Sequence, residues 1–395
     1  MARILFLTHQ MPSPFGGGTA VSYWTLRELA RRGWQVGLVT FVEAHRTQAP
    51  PPEGLEGVEI LARVPLVYRN TPSALLRSLR SPVPFTTQKY LHPAFGEAVA
   101  RAVQVFRPQV LFADHTHMAP AALRAAGGFA RVLRVHNAEH VLWHQTARYT
   151  RHPVKRAVLA VVARRVRRFE ETTYPLFDRV LFLSDRDRQR FPDLPRAVSL
   201  PPGVDTAYFA PQPVSPHRRN LVFVGSLDWL PNVDGIRWFV RAVWPRLQAR
   251  DPALHLWIVG KNPPPAVARL AGPAVTVTGF VPDIRTYVRQ GGLFIVPLRI
   301  GSGLRIKILE ALAQGIPVVT TRVGAAGLEH LAPAYRLADT PEEWETAVLD
   351  LLNRPDEYET LRRWGPELVA RYHRWPAIVE RLEQVLRPLL REPVP

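Results

Sequence analysis

The chain reads as an α/β protein of two Rossmann-like domains whose ligand loops face each other across a cleft. Three observations predict this. Residues 3–41 give a strand, a glycine turn, a helix and a second strand. A proline-rich polar stretch at 211–219 precedes a fresh apolar strand, Leu221–Val224, which ends in Gly225-Ser226. Residues 293–320 repeat the strand, glycine loop, helix, strand order. Such units build parallel sheets with crossover helices.

In the first half, residues 3–8 form a buried-strand run. Gly16-Gly17-Gly18 follows, with Thr19 as the expected N-cap, a helix over Ala20–Arg32 that stops at Gly33, and a strand over Trp34–Phe41. The three glycines permit close approach of backbone to a ligand, but they are not the spaced G-x-G-x-x-G of a dinucleotide site. Residues 94–106 read as a helix. Strands Val110–Ala113 and Val132–Val135 end in Asp114-His115-Thr116-His117 and His136-Asn137-Ala138-Glu139-His140. Ligands of open α/β sheets bind at strand carboxyl ends, which makes His136 the candidate on the catalytic face. These histidines lack metal spacing along one helix, so no metal site is expected.

In the second half, Asn232 is the expected N-cap of a helix over 233–243. Leu254–Val259 with Gly260-Lys261, and Val275–Thr278 with Gly279-Phe280-Val281-Pro282-Asp283, add strand-and-loop units. The loop Gly301-Ser302-Gly303 then opens a helix with apolar residues at Leu304, Ile308, Leu309 and Leu312, ended by Gly315. Unpaired N–H groups at such a helix start suit an anion. Gly303, Lys307 and Glu310 fall near one helical face, so a diphosphate and then a ribose diol fit the spacing as well as a solvated Lys–Glu pair does. An amphipathic helix over Trp375–Leu390 closes the chain.

Composition narrows the classes. The 395 residues suit two domains, and 47% hydrophobic content supports real cores. With no cysteine there is no disulfide framework, zinc-thiolate site or cysteine nucleophile. No apolar run approaches the ~18 residues of a transmembrane helix. Net charge is +18, and residues 1–205 hold 28 Lys and Arg against 15 Asp and Glu. Residues 154–169 carry six cations and no acid. They are a candidate contact for anionic lipid, with a core helix bearing a solvated basic face as the alternative. No nucleic-acid motif accompanies the charge.

Six segments resemble glycosyltransferase family 4, in the family's order: Pro-Pro-Gly-Val-Asp (201–205), Phe-Val-Gly-Ser-Leu-Asp (223–228), Ile-Val-Gly-Lys (258–261), Gly-Phe-Val-Pro-Asp (279–283), residues 301–313, and Gly-Ile-Pro-Val-Val-Thr-Thr (315–321). The resemblance implies a GT-B fold, with a boundary at 205/206 and residues 376–395 returning to the first domain. It implies a metal-independent retaining glycosyltransferase without cofactor, using a UDP- or GDP-linked sugar and a saccharide or lipid-linked acceptor. The expected setting is cytoplasmic, with the basic helix at an anionic membrane surface, in envelope or exported polysaccharide synthesis.

The resemblance also assigns residues. Glu310 matches the second acid of the E-x7-E motif, which grips the ribose, while Ser302 stands where the first acid is expected. Ser226 replaces the family's diphosphate Arg, and Asn232 lies near its Lys, so Arg305 and Lys307 are the expected substitutes. Val281 would contact the base, and His136 the transferred sugar. The implied donor contacts are Gly17, Gly18, Ser226, Lys261, Val281, Ser302, Gly303, Leu304 and Glu310. Two other readings fit less of the pattern: a GT-B nucleotide-sugar epimerase, and a basic scaffold that binds polyanions.

Overall fold

The structure is a computed structural model, and it describes residues 1–66, 81–150, 152–211, 213 and 218–390. Most of the expected linker at 211–219 lies outside the described residues, as do residues 391–395 of the returning C-terminal segment. The chain divides into two compact units, Met1–Pro202 with Trp375–Pro395, and Gly203–Arg374.

The first unit holds a seven-stranded sheet of order β3-β2-β1-β4-β5-β6-β7. Its strands are β1 (Arg3–Thr8), β2 (Gln35–Val42), β3 (Val58–Pro65), β4 (Val110–Asp114), β5 (Ala130–Val135), β6 (Arg179–Phe182) and β7 (Ala197–Ser199). Every pairing is parallel. The near-continuous apolar runs follow from this, because helices cover both faces of such a sheet. Leu5, Phe6, Leu111, Phe112, Val132 and Leu133 are fully buried. The Phe6 and Phe112 rings stack at 4.4 Å.

The second unit repeats the plan in six strands, of order β10-β9-β8-β11-β12-β13. They are β8 (Asn220–Val224), β9 (His255–Val259), β10 (Val275–Gly279), β11 (Leu293–Val296), β12 (Val318–Thr320) and β13 (Tyr335–Leu337). These pairings are parallel too. Strand order reverses between β1 and β4 in one sheet and between β8 and β11 in the other. Each reversal opens a crevice at the strand carboxyl ends, the place where doubly wound sheets bind ligands.

The helix Trp375–Leu386 belongs to the first unit, and a short 3-10 turn at Arg387–Leu389 ends it. Trp375, Ile378, Val379, Leu382 and Leu386 are buried. At about 1.5–3 kcal/mol per buried apolar side chain, this docking is worth on the order of 10 kcal/mol before entropy. Trp375 stacks on Trp24 with centroids 6.5 Å apart. Glu383 accepts hydrogen bonds from Trp34 Nε1 and from Arg32 Nη1, both at 2.8 Å.

Three local expectations change. The first helix spans Gly17–Arg31 with Gly16 as its N-cap, and Thr19 Oγ1 donates to the Gly16 carbonyl instead of capping. Asn232 lies inside the helix Leu230–Trp238, whose N-cap is Trp229. The helix expected to include Leu304 begins at Ile306, with Arg305 as its N-cap. Among the described residues, no helix is long and apolar enough to cross a membrane.

Candidate functional site

In the second unit, the reversal between β8 and β11 gathers two loops. Gly225 directly follows β8, and a Cβ there would lie 2.6 Å from both Asn232 Nδ2 and Lys307 Nζ. Only glycine leaves room for those two side chains to meet. Asn232 Nδ2 donates to the Ser226 carbonyl at 2.8 Å, which turns Oδ1 toward Lys307. Lys307 Nζ donates to that oxygen at 2.8 Å and sits 4.6 Å above the Phe223 ring. Among the described residues, no ion pair within 4 Å joins Lys307 to a carboxylate. Burial lowers the Lys307 pKa to about 7, and the Arg305 charge adds to the effect. Burial raises Glu310, one turn along, to about 7, with partial relief from Lys307. Gly225→Ala should therefore expel the ammonium and lower affinity for a diphosphate ligand about tenfold or more, while a thermal melt shows the fold retained. Calorimetric titration with UDP checks it, and wild-type affinity would overturn the close-approach argument.

Arg305 behaves differently from Lys307. It is 4% exposed, and its Nη1 donates to the Ser302 and Gly303 carbonyls. Its guanidinium lies 5.6 Å over the Trp229 ring. A Cβ on Gly301 would reach within 2.0 Å of Arg305 Nη2, and Gly301 and Gly303 take φ of 142° and 76°. Arg305 thus ties the glycine loop to the helix start, and Ser302 and Gly303 are buried beside it. Of the other expected contacts, Leu304 buries its side chain in the core and Val281 packs half-buried against it. Lys261 is exposed, and its carbonyl accepts the Leu227 N–H at 3.0 Å. Ser226 Oγ donates to Asp228 Oδ1 at 2.6 Å, and Asn262 Nδ2 donates to Asp228 Oδ2 at 3.0 Å. Burial would raise the Asp228 pKa, but these donors outweigh it and hold the carboxylate below its usual range. Asp228 carried no signal of its own in the sequence, because its partners arrive from two strand ends.

In the first unit, the reversal between β1 and β4 places Gly18 against His136. A Cβ on Gly18 would stand 3.0 Å from His136 Nδ1, and Gly17 takes φ of 34°. His136 Nε2 lies 2.7 Å from Asp114 Oδ1. Asp114 also accepts two bonds from Arg134, at 2.8 and 2.5 Å, and Arg134 Nη1 donates to Thr25 Oγ1 at 2.7 Å. Asp114, Arg134 and His136 are all buried. Burial would raise the Asp114 pKa, but Arg134 and then His136 overcome it and hold the carboxylate far below its usual range. The sequence places Asp114 and His136 at strand ends, and pairing of β4 with β5 brings them together with Arg134, which lies inside β5.

Around this triad lies a second polar group. His115, His117 and Glu139 bring one ligand atom each to within 4.8 Å of one another. The expectation that these histidines lack metal spacing considered a single helix, whereas the three come from the loops after β4 and β5. Their rings and that of His9 adjoin, with His9–His115 at 4.5 Å and His115–His117 at 4.2 Å. Burial keeps His9 down at about 3 and His115 and His117 well below the usual imidazole value. Burial, with the Glu170 charge, raises Glu139 to about 7.

Two family models match the chain. Residues 15–208 match the one described as Glycosyltransferase Family 4, and residues 218–354 match Glycosyl transferases group 1. A curated relative, "Uncharacterized 44.6 kDa protein in cps region" of Klebsiella pneumoniae, is 27% identical over 161 residues, 38% of this chain. The match spans 41% of that relative's length. Among solved structures, the sucrose-phosphate synthase of Thermosynechococcus elongatus is similar at a TM-score of 0.73 and 18% identity, over 98% of this chain and 99% of that one. Anabaena HepE in complex with UDP-glucose is similar at 0.65 and 16% identity, over 98% and 100%. These likenesses show a GT-B fold with two Rossmann-like domains.

Proposed function

Because the chain belongs to glycosyltransferase family 4, we propose that it is a retaining glycosyltransferase that moves a hexose-type sugar from a UDP- or GDP-linked donor to a saccharide or lipid-linked acceptor. The observation that carries this reading is the Lys307 ammonium, held by Asn232 beside Gly225 with no carboxylate ion pair within 4 Å among the described residues. A half-buried cation beside the carboxyl end of β8 suits a diphosphate, whose charge grows as the sugar leaves. Glu310, one turn further along the same helix, would accept hydrogen bonds from a ribose diol. Arg305 shapes the glycine loop, whose backbone N–H groups add donors. HepE, the UDP-glucose-bound relative in fold, supports uridine as the first nucleotide to try.

In the reaction we propose, the bond from the anomeric carbon to the donor phosphate oxygen breaks as the acceptor oxygen approaches from the same face. The leaving phosphate oxygen takes the acceptor's proton. No side-chain nucleophile is required. His136, held by Asp114, would hydrogen-bond the transferred sugar, and Gly17 and Gly18 would leave space for it.

A thermal-shift panel of UDP- and GDP-sugars tests the donor. A ligand at 100 times its Kd should add about 2.7 kcal/mol and raise the Tm by several degrees. No shift with any member would sink the reading. We further propose a peripheral membrane setting on the cytoplasmic side, in envelope or exported polysaccharide synthesis, and the helix Pro153–Thr173 supports the membrane contact. Val154, Val158 and Val161 are 65%, 42% and 45% exposed there, among exposed Lys155, Arg156 and Arg164. Mixed apolar and cationic exposure suits an anionic bilayer surface. Liposomes with anionic lipid should carry the protein on flotation and neutral ones should not; equal recovery would overturn this.

A further inference from the structure

We propose that His115, His117 and Glu139 form a binding site for one divalent transition ion of the zinc type. The inference is independent of the proposed transfer reaction. Two imidazoles and a carboxylate are a ligand set that borderline ions accept, and a three-ligand site leaves a position open for an outside oxygen.

The geometry is close to what an ion needs. The three ligand atoms lie within 4.8 Å of one another, and His115 Nε2 stands 3.9 Å from Glu139 Oε1. Zinc bonds of about 2.1 Å at tetrahedral angles put two ligand atoms about 3.4 Å apart. Closing the remaining gap takes a shift of up to about 1.4 Å, shared between two side chains and within the range of side-chain rotation. His115 and Glu139 are only 7% and 8% exposed, so these groups are not simply solvated.

The surroundings orient the ligands. His117 Nδ1 lies 3.2 Å from Thr87 Oγ1, and Thr87 is buried. That contact leaves Nε2 of His117 to face the ion, the usual way an outer partner sets an imidazole's tautomer. The Glu139 backbone N–H donates to Glu170 Oε1 at 2.7 Å, which anchors the start of its helix. His115 is held at φ 105°, an uncommon conformation for a residue other than glycine. Its Nδ1 accepts the His117 amide at 3.4 Å, longer than an ordinary bond. The ring's proton is then on Nε2, directed at Glu139. On binding, the ion takes that place, one proton moves to Nδ1, and the long contact opens. His9 is the nearest further imidazole, its ring 4.5 Å from that of His115. The ion's two charges exceed the single carboxylate, so its open side favours an anionic oxygen, such as that of a phosphate.

The test uses the full-length protein without added histidines, cleared of metal by chelation and titrated with Co2+ and then Zn2+. One equivalent of Co2+ should give the visible absorption of a low-coordinate site, and Zn2+ should displace it. His117→Gln and Glu139→Gln should each weaken binding at least about tenfold, while the exposed control His144→Ala should not. X-ray absorption on the zinc-loaded wild type covers the case of a variant that does not fold, and should report two imidazoles and a carboxylate oxygen. No stoichiometric ion, affinity unchanged in both variants, or a different ligand set would each overturn the site.

Discussion

Lys307→Ala should lower kcat/KM for the donor by about 10²–10³-fold, the usual loss when one preorganised group facing a developing anion is removed. The same variant should melt no lower than the wild type when free of ligand. The reason is the sign of the pKa shift. Burial lowers Lys307 from the ordinary lysine value to about 7. The folded state therefore disfavours the charged form, and at neutral pH the group costs stability that its removal returns. Loss of turnover with retained or raised Tm separates a functional cation from a structural one. The position can be tested as well as the residue. Lys307 Nζ and Asn232 Oδ1 are 2.8 Å apart. Asn232→Lys added to Lys307→Ala should bring an ammonium back to the same place and recover part of the activity. Unchanged turnover in Lys307→Ala would sink the assignment.

The same pair predicts a pH profile. Above about pH 7, Lys307 in the free protein loses its proton and with it the attraction for a diphosphate. Below about pH 7, Glu310 gains a proton and loses the carboxylate suited to a diol. kcat/KM should be bell-shaped with its maximum near neutrality, and the two limbs belong to the pair, not to either residue alone. Lys307→Ala should erase the alkaline limb. An alkaline limb that survives in this variant must come from another group.

Asp114→Ala should be among the most destabilising single changes in the first unit. It strands Arg134, whose guanidinium makes two bonds to Asp114 while only about 2% exposed. Removing one partner of a buried pair costs about 3–5 kcal/mol, because the other charge stays buried without compensation. In a unit of this size that corresponds to a fall of roughly 10 °C in Tm. Asp114→Ala with Arg134→Met should recover much of it. The pH dependence follows from the depressed Asp114 pKa. Its contribution is fully present above the unfolded carboxylate value, about 4, and is lost progressively as pH falls from there toward the folded value far below it. The gap in stability between wild type and Asp114→Ala should thus be flat from about pH 5 upward and narrow steadily below about pH 4. A melt of Asp114→Ala within about 2 °C of the wild type would contradict the pair's role.

Much of the fold was legible in the chain, because buried parallel strands and glycine breaks leave local marks. β1, β4, β5, β8 and β11 lie where their apolar runs predict, within a residue or two. Gly16–Gly18 and Gly301–Gly303 were visible for the same reason, and both stand at a reversal of strand order. Capping was less legible. Thr19 and Asn232 have the right chemistry for N-caps, yet Thr19 bonds the Gly16 carbonyl one turn back and Asn232 bonds Ser226 and the distant Lys307.

The sequence by itself determined two α/β units, their glycine loops, and Lys307 and Glu310 as neighbours on one helical face. Local spacing governs all of these, since 3.6 residues per turn and a strand's alternation act over a few positions. Only the tertiary structure decided which distant groups meet. It seats Lys307 against Asn232 and Gly225, and joins His136 to Asp114 and Arg134. It also collects His115, His117 and Glu139 from two strand ends. Register between parallel strands sets these meetings, and register is fixed by packing over the whole sheet, which no single stretch of the chain encodes.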